Sequence, residues 1–358
     1  MKPRFLVHAL IATALIHVGS HATAETAVRK PVKAEAVKPA AKTAKPVAKT
    51  AKTAKTSPAK PAAPKNKVAA KPAPKKVVAR PAPVQTPADD GGALELDARG
   101  NPLLRSAAFY VANQATGEVL LERNGSAVVP IASITKLMTA MVVLEAGLSL
   151  SEELVINTED IDQLKGTGSR LSLGTRLTRE EMLRLALMSS ENRAASALGR
   201  HYPGGLRAFV DAMNVKARLL GMSDTRFHDS SGLNPANVSS PRDLARLVTA
   251  SAGYPLIREF STTHERHVEI NGRLLRFGNT NALVRSPDWE ISVSKTGYIS
   301  EAGRCLVMQA WMHQQPVVIV LMDSAGRYTR TADAQRVRKW LDLQAAERVA
   351  AGPKARQG

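Results

Sequence analysis

Three short stretches place reactive residue types at spacings that could do chemistry. In Ser133-Ile134-Thr135-Lys136 a hydroxyl and an amine stand three residues apart, so on a helix they share one face. The run from Ala132 to Glu145 is apolar nearly all round and ends before Gly147, the pattern of a helix buried at the centre of a domain. A lysine in such a helix is desolvated, which lowers its pKa and leaves a neutral amine able to act as a base. A serine beside that amine, in a first turn where free N–H groups and the helix dipole favour negative charge, is an activated nucleophile. The same four residues also describe an ordinary serine cap followed by a snorkelling lysine, so the pair alone decides nothing.

Two further stretches change the balance. Ser190-Glu191-Asn192 follows a run capped by Thr178 and Glu181, which read together as a capping box, and it puts a hydroxyl and a carboxamide where the chain turns. Lys295-Thr296-Gly297 lies in a strand starting at Ile291. Alternation there puts Lys295 on the face of Ile291 and Val293, and an ammonium on that face needs a polar or functional neighbour. Gly297 would let another backbone approach closely. Other candidates are weaker. His264-Glu265-Arg266-His267 spaces its histidines by three and lacks the helical zinc pattern, so no metal is expected. Cys305 lies among Leu306 and Val307 in an expected strand, which predicts a buried, inert thiol. Gly166-Thr167-Gly168 lacks the spacing of a phosphate loop.

The elements that must position these residues follow from periodicity. Ala107–Val111 and Glu118–Leu121 flank Gln114-Ala115-Thr116-Gly117 as a hairpin. Ser240-Pro241-Arg242-Asp243 opens a helix, with Pro at its first turn. Ile291–Tyr298, Arg304–Met312 and Val317–Met322 read as three antiparallel strands, and Ala332–Ala350 as a closing helix. Strands lie at both ends with helices between them. The fold class is therefore α+β: an antiparallel β-sheet flanked by helices, with an inserted all-helical subdomain.

Charge sorts the chain further. Of the net +19, residues 29–80 supply most, with 16 Lys/Arg against the single acid Glu35. The part beyond residue 80 is nearly neutral. With aromatics at 4% there is little material for stacking RNA bases, and although the basic segment resembles Lys/Ala/Pro tails that bind DNA, it follows an export signal, so no nucleic acid is expected as a partner. One cysteine excludes an intrachain disulfide framework. Lys2 and Arg4, the apolar run Phe5–Val18 and Ala22-Thr23-Ala24 read as a cleaved export signal over residues 1–24, which predicts a periplasmic protein. Residues 25–92, built from Lys, Ala, Pro, Thr and Val, cannot bury enough apolar surface to fold and read as a disordered tether. After an export signal its expected partners are anionic envelope polymers or membrane surfaces, with a solvated spacer as the alternative reading. The folded domain is expected over 93–347, with a flexible tail at 348–358.

S-x-x-K, S-x-N and K-T-G in this order are the three motifs of the penicillin-recognising serine acyltransferases. Residues 94–345 resemble the low-molecular-mass penicillin-binding proteins, the D-Ala-D-Ala carboxypeptidases and endopeptidases. The resemblance includes Pro130–Ala140, the loop Asp229-Ser230-Ser231-Gly232-Leu233, Ser190–Ala195 and Lys295–Tyr298 with Ala302–Val307. The last two segments look most like the endopeptidase branch. The resemblance implies the transpeptidase/β-lactamase-like fold, Ser133 as nucleophile, Lys136 as its base and Ser190 as proton relay. It further implies that Lys295 holds the field positive, Asn192 binds the substrate peptide, and the N–H groups of Ser133 and Tyr298 form the oxyanion hole. Thr296, on the Lys295-Thr296-Gly297 strand, would face a substrate carboxylate, with Arg330 beside it and Arg304 as competitor. Ile299 stands where many relatives have Thr after K-T-G-x, which removes a hydroxyl near the cleft.

The implied function is a serine DD-peptidase acting on peptidoglycan stem peptides, without cofactor, and trapped covalently by β-lactams. A short C-terminal extension whose last helix carries Arg336, Arg338, Lys339 and Asp342 favours an endopeptidase over a membrane-anchored carboxypeptidase. A β-lactamase of the class using a Glu downstream of the second motif is disfavoured, because no Glu occurs between Asn192 and Glu259. A non-catalytic envelope-binding protein would have no need of all three motifs.

Overall fold

The computed structural model describes residues 94–351, so the expected export signal and tether, and the tail beyond 351, lie outside the described residues. In chain order the elements are β1 (Ala108–Asn113), β2 (Val119–Arg123), β3 (Val129–Pro130), α1 (Thr135–Glu145), β4 (Glu153–Val155), β5 (Arg176–Thr178), α2 (Arg179–Met188), α3 (Asn192–Arg200) and α4 (Gly205–Leu219). There follow β6 (Val238–Ser239), α5 (Pro241–Ser251), α6 (Pro255–Thr262), β7 (Glu265–Ile270), β8 (Arg273–Gly278), β9 (Glu290–Ile299), β10 (Gly303–Met312), β11 (Gln315–Ser324) and α7 (Thr329–Ala350). Because α7 runs to Ala350, residues 348–350 of the expected tail are helical.

The main sheet has the order β2-β1-β11-β10-β9 and is antiparallel throughout. The first hairpin thus joins the last three strands, and α1–α6 are inserted between them, as expected. The insertion is not all-helical, because the two-stranded pairs β3–β6, β4–β5 and β7–β8 also lie within it. Apolar residues cover both faces. On β11, Val318, Val320 and Met322 pack in the cluster that holds α1, α2 and α5, whereas Val317, Ile319 and Leu321 pack with Ala334, Val337 and Trp340 of α7. That is why Val317–Met322 reads as an unbroken apolar run rather than an alternation.

Helix α1 is buried at every position from Thr135 to Val143. Each large apolar side chain buried there contributes roughly 1.5–3 kcal/mol. Its polar members are satisfied: Thr139 Oγ1 donates to the Ser230 carbonyl at 2.6 Å, and Thr135 Oγ1 accepts from Asn237 Nδ2 at 3.0 Å. Two expectations about local detail are corrected. Thr178 caps α2 by accepting from the Glu181 N–H, but the Glu181 carboxylate does not complete a box; it pairs with Arg266 instead. On β9 the pairing shifts by one residue between Val293 and Ile291. Ile291 therefore packs toward α7 while Val293 and the cleft-facing Lys295 stay on the other face, because a bulge inverts the alternation.

Candidate active site

Ser133 sits in a 3-10 turn, Ala132–Ile134, that runs into α1 rather than in the α-helix itself. Ala132 holds a left-handed φ of 49°, so the turn is strained at the residue before the serine. Two glycines hem it in. A Cβ on Gly232 (φ 85°) would lie 1.9 Å from the Ala132 carbonyl oxygen, and one on Gly297 would lie 2.9 Å from that of Ile131. Only residues without a side chain let the Asp229–Leu233 loop and strand β9 close on the serine from two sides.

Lys136 is fully buried one turn on, with Nζ 2.8 Å from Ser133 Oγ, 2.8 Å from Asn192 Oδ1 and 2.7 Å from the Ser231 carbonyl. Burial lowers its pKa to about 7, against the opposing pull of the Asp229 and Glu191 charges. A neutral amine has two N–H groups and one lone pair. Asn192 Oδ1 and the Ser231 carbonyl can only accept, so they take the two N–H groups and leave the lone pair for the Ser133 proton. Asp229 builds the loop that presents the Ser231 carbonyl. Its carboxylate accepts from the N–H groups of Ser231, Gly232 and Asn234, and Asn237 Nδ2 donates to it as well.

Ser190, at φ 61°, lies in the turn between α2 and α3, and Asn192 is the first residue of α3. The residue between them anchors that turn. Glu191 is buried, and its carboxylate accepts from Ser169 Oγ at 2.8 Å and from Arg170 at 2.9 and 3.1 Å. Arg170 in turn lies 3.9 Å from the Phe277 ring centroid and donates to the Arg276 carbonyl. The Gly166–Gly168 segment belongs to the same arrangement: Thr167 Oγ1 accepts from Asn192 Nδ2 at 3.1 Å, and Asp162 holds Thr167 through two bonds. Lys165 pairs with Glu301 in the β9–β10 turn, so this loop touches both walls of the cleft.

Strand β9 supplies the third side. Lys295 is buried, with Nζ 2.9 Å from Ser190 Oγ and 2.9 Å from the Thr296 carbonyl. Burial pushes its pKa well below the ordinary lysine value, and the neighbouring Lys136 and Arg330 charges push the same way. Thr296 Oγ1 donates to Thr280 Oγ1 at 2.7 Å. Tyr298 is exposed at 56%, with the Arg304 guanidinium 4.6 Å from its ring centroid. Arg330 Nη1 donates to the carbonyls of Gly297 and Cys305 at 3.0 and 3.1 Å, which fixes the guanidinium against the K-T-G backbone. Ile299 is buried in the apolar cluster. Cys305 is fully buried, and burial pushes its thiol up to about 11. In the His264–His267 segment, Glu265 pairs with Arg276 and Arg266 with Glu181.

The residues singled out in the three motifs therefore converge: Ser133, Lys136 and Asn192 on one hydrogen-bonded centre, and Ser190 with Lys295 on another. Sequence reading missed the supporting groups, namely Asp229, the Ser231 carbonyl, Gly232, Glu191, Thr167 and Thr280. The Asp229–Leu233 loop carried a signal through its resemblance, but nothing in it indicated that a main-chain carbonyl would hold the lysine.

Comparison with known proteins fits this geometry. The sequence profile of the D-alanyl-D-alanine carboxypeptidase family, Peptidase_S11, matches residues 97–326. The chain is 48% identical to a D-alanyl-D-alanine endopeptidase of Pseudomonas aeruginosa over 254 residues, 70% of this chain and 82% of that one. It is 46% identical to the D-alanyl-D-alanine endopeptidase of Escherichia coli over 243 residues, 67% and 78% of the two chains. Among solved structures it resembles the Streptomyces K15 DD-transpeptidase, with TM-score 0.63, 27% identity, and coverage of 67% of this chain and 98% of that one. It also resembles penicillin-binding protein D2 of Listeria monocytogenes in its cefotaxime-bound form, with TM-score 0.60, 29% identity and the same coverage.

Proposed function

The chain belongs to the D-alanyl-D-alanine carboxypeptidase family of serine peptidases, and from that membership we propose that it is a D-alanyl-D-alanine endopeptidase opening peptidoglycan cross-bridges through an acyl-enzyme on Ser133. The observation that carries the reading is the buried Lys136 amine, 2.8 Å from Ser133 Oγ, whose pKa burial lowers to about 7, so that a substantial fraction is uncharged at neutral pH. Ser133 Oγ attacks the D-Ala carbonyl carbon and gives its proton to Lys136 Nζ. The tetrahedral oxygen is received by the N–H groups of Ser133 and Tyr298, donors of a kind whose individual loss costs about 10²–10³ in rate. Support for that pairing is the close seating of Gly297 against the Ile131–Ser133 turn. Ser190, polarised by Lys295, gives its proton to the leaving amine as the C–N bond breaks and takes in its place the proton that Lys136 accepted from Ser133. Water then attacks the ester and frees Ser133.

Asn192 holds both the lysine and the substrate amide, and Lys295, Thr296, Gly297 and Arg330 form the side that receives a substrate carboxylate. Arg330 is favoured over Arg304 because it is tied directly to the K-T-G backbone. The endopeptidase reading is favoured by relatives of that name at 46–48% identity, while carboxypeptidases stand at 28% and 31%. Release of a single terminal D-Ala uses the same carbonyl chemistry and is the second activity to assay. Export to the periplasm is supported by Lys2, Arg4, Phe5–Val18 and Ala22-Thr23-Ala24.

Two experiments test this. A fluorescent penicillin should label the purified protein covalently, and Ser133→Ala should abolish labelling while leaving the circular dichroism spectrum unchanged; an equally labelled variant removes the assignment. Deleting residues 25–91 should leave hydrolysis of soluble cross-linked muropeptides intact but weaken retention on sacculi at low salt. Retention that ignores both salt and the deletion would make the basic segment a spacer.

A further inference from the structure

Thr280 stands outside the three motifs, yet its hydroxyl is 2.7 Å from that of Thr296. It is held there from several directions. The Thr280 N–H donates to the Met188 carbonyl at the end of α2, two residues before Ser190. On one side, Asn279 Nδ2 donates to the carbonyls of Ser261 and Thr263; on the other, Asn281 Nδ2 donates to Ser294 Oγ. Two asparagine side chains thus clamp a turn whose middle residue turns its hydroxyl to the K-T-G threonine. Of the two threonines, Thr296 is buried at 6% and Thr280 is exposed.

Proton accounting gives this pair a role. Two hydroxyls have two protons and share one of them in their mutual bond, so one remains for a third partner. With Thr296 donating to Thr280, the remaining proton is on the exposed Thr280. With the bond reversed, it is on Thr296, and Thr280 is the group that orients it. A carboxylate can only accept, so either arrangement offers it one aimed donor, at the strand whose Gly297 carbonyl, one residue beyond Thr296, accepts from the Arg330 guanidinium. We propose that Thr280 is a substrate-binding residue that acts with Thr296 as one two-hydroxyl donor for the carboxylate on the leaving-group side. This rests on the DD-peptidase reading above and supplies from the β8–β9 connection a hydroxyl that Ile299 does not provide.

The test compares acylation of the full chain by benzylpenicillin and by its methyl ester, in which the carboxylate charge is removed. Thr280→Val should slow acylation by the acid at least about tenfold, the range for a hydrogen bond to a charged group, and slow the ester severalfold less, because a neutral ester accepts only a weaker hydrogen bond. Thr280→Ser should restore the acid rate, and Thr280→Val added to Thr296→Val should cost little beyond the latter alone. An unchanged acid rate in Thr280→Val, or an equal loss with acid and ester, overturns the assignment. A wild-type chain that neither compound acylates overturns the DD-peptidase reading instead.

Discussion

On the amine of Lys136, the proposed base, two effects oppose each other and burial wins. Desolvation lowers its pKa to about 7, while the Asp229 and Glu191 carboxylates pull the other way. Below that pH the proton occupies the lone pair that Ser133 needs, so the rate of acylation by benzylpenicillin should rise through a limb near pH 7 and flatten above it. A limb displaced toward the 10.5 of an ordinary lysine would mean a solvated amine and would remove the proposed base. The same shift has a stability consequence of definite sign. Between about 7 and 10.5 the unfolded chain holds a proton that the folded chain lacks, so this residue's contribution makes the fold more stable as pH rises through that window. At this scale the spacing of Ser133 and Lys136 was legible, because three residues on a helix are neighbours by geometry. The acceptors that orient the amine were not: Asn192 and Ser231 lie 56 and 95 residues away and meet it only through packing.

Strand β9 and the α2–α3 turn are the elements that bring the second and third motifs to the first. Gly297 is where β9 touches the Ser133 turn, and a Cβ there would stand 2.9 Å from the Ile131 oxygen and 3.2 Å from the Ala132 Cβ. Gly297→Ala should therefore fold but displace the strand by tenths of an ångström, lowering acylation by about tenfold or more. Wild-type acylation by this variant would show that the strand does not register the proposed oxyanion donors. Element types were readable, since long apolar runs and the Thr178 and Ser240 caps carry their own local signal. Element faces were readable only where pairing stays regular. The one-residue shift near Ser292 moved Ile291 to the α7 side, and the choice of Arg266 over a capping box for Glu181 depended on a hairpin 85 residues away.

The molecule as a whole is closed by contacts between the two ends of the described chain. Trp340 of α7 packs against the outer sheet face, and its Nε1 donates to the Gly100 carbonyl at 2.8 Å. Asp333, also on α7 and fully buried, accepts from the N–H groups of Arg105 and Ser106. Trp340→Ala should cost about 3–5 kcal/mol in urea unfolding without altering penicillin acylation by the folded protein, because it lies in the cluster on the far side of the sheet from α1. A loss below about 1 kcal/mol would show that α7 does not carry the closure. By itself, the sequence determined which chemistry was available: a serine and an amine one turn apart in an apolar helix, two further polar triplets, and strands at both ends. Those properties follow from local periodicity and residue type, which need no knowledge of distant neighbours. Only the tertiary structure decided that the triplets meet in two hydrogen-bonded centres joined through the Ser190–Asn192 segment, that Asp229 and Glu191 hold the loops around them, and that Thr280 stands beside Thr296. Each of those contacts joins segments far apart in the chain, and the energy that selects such a contact comes from burying both partners together.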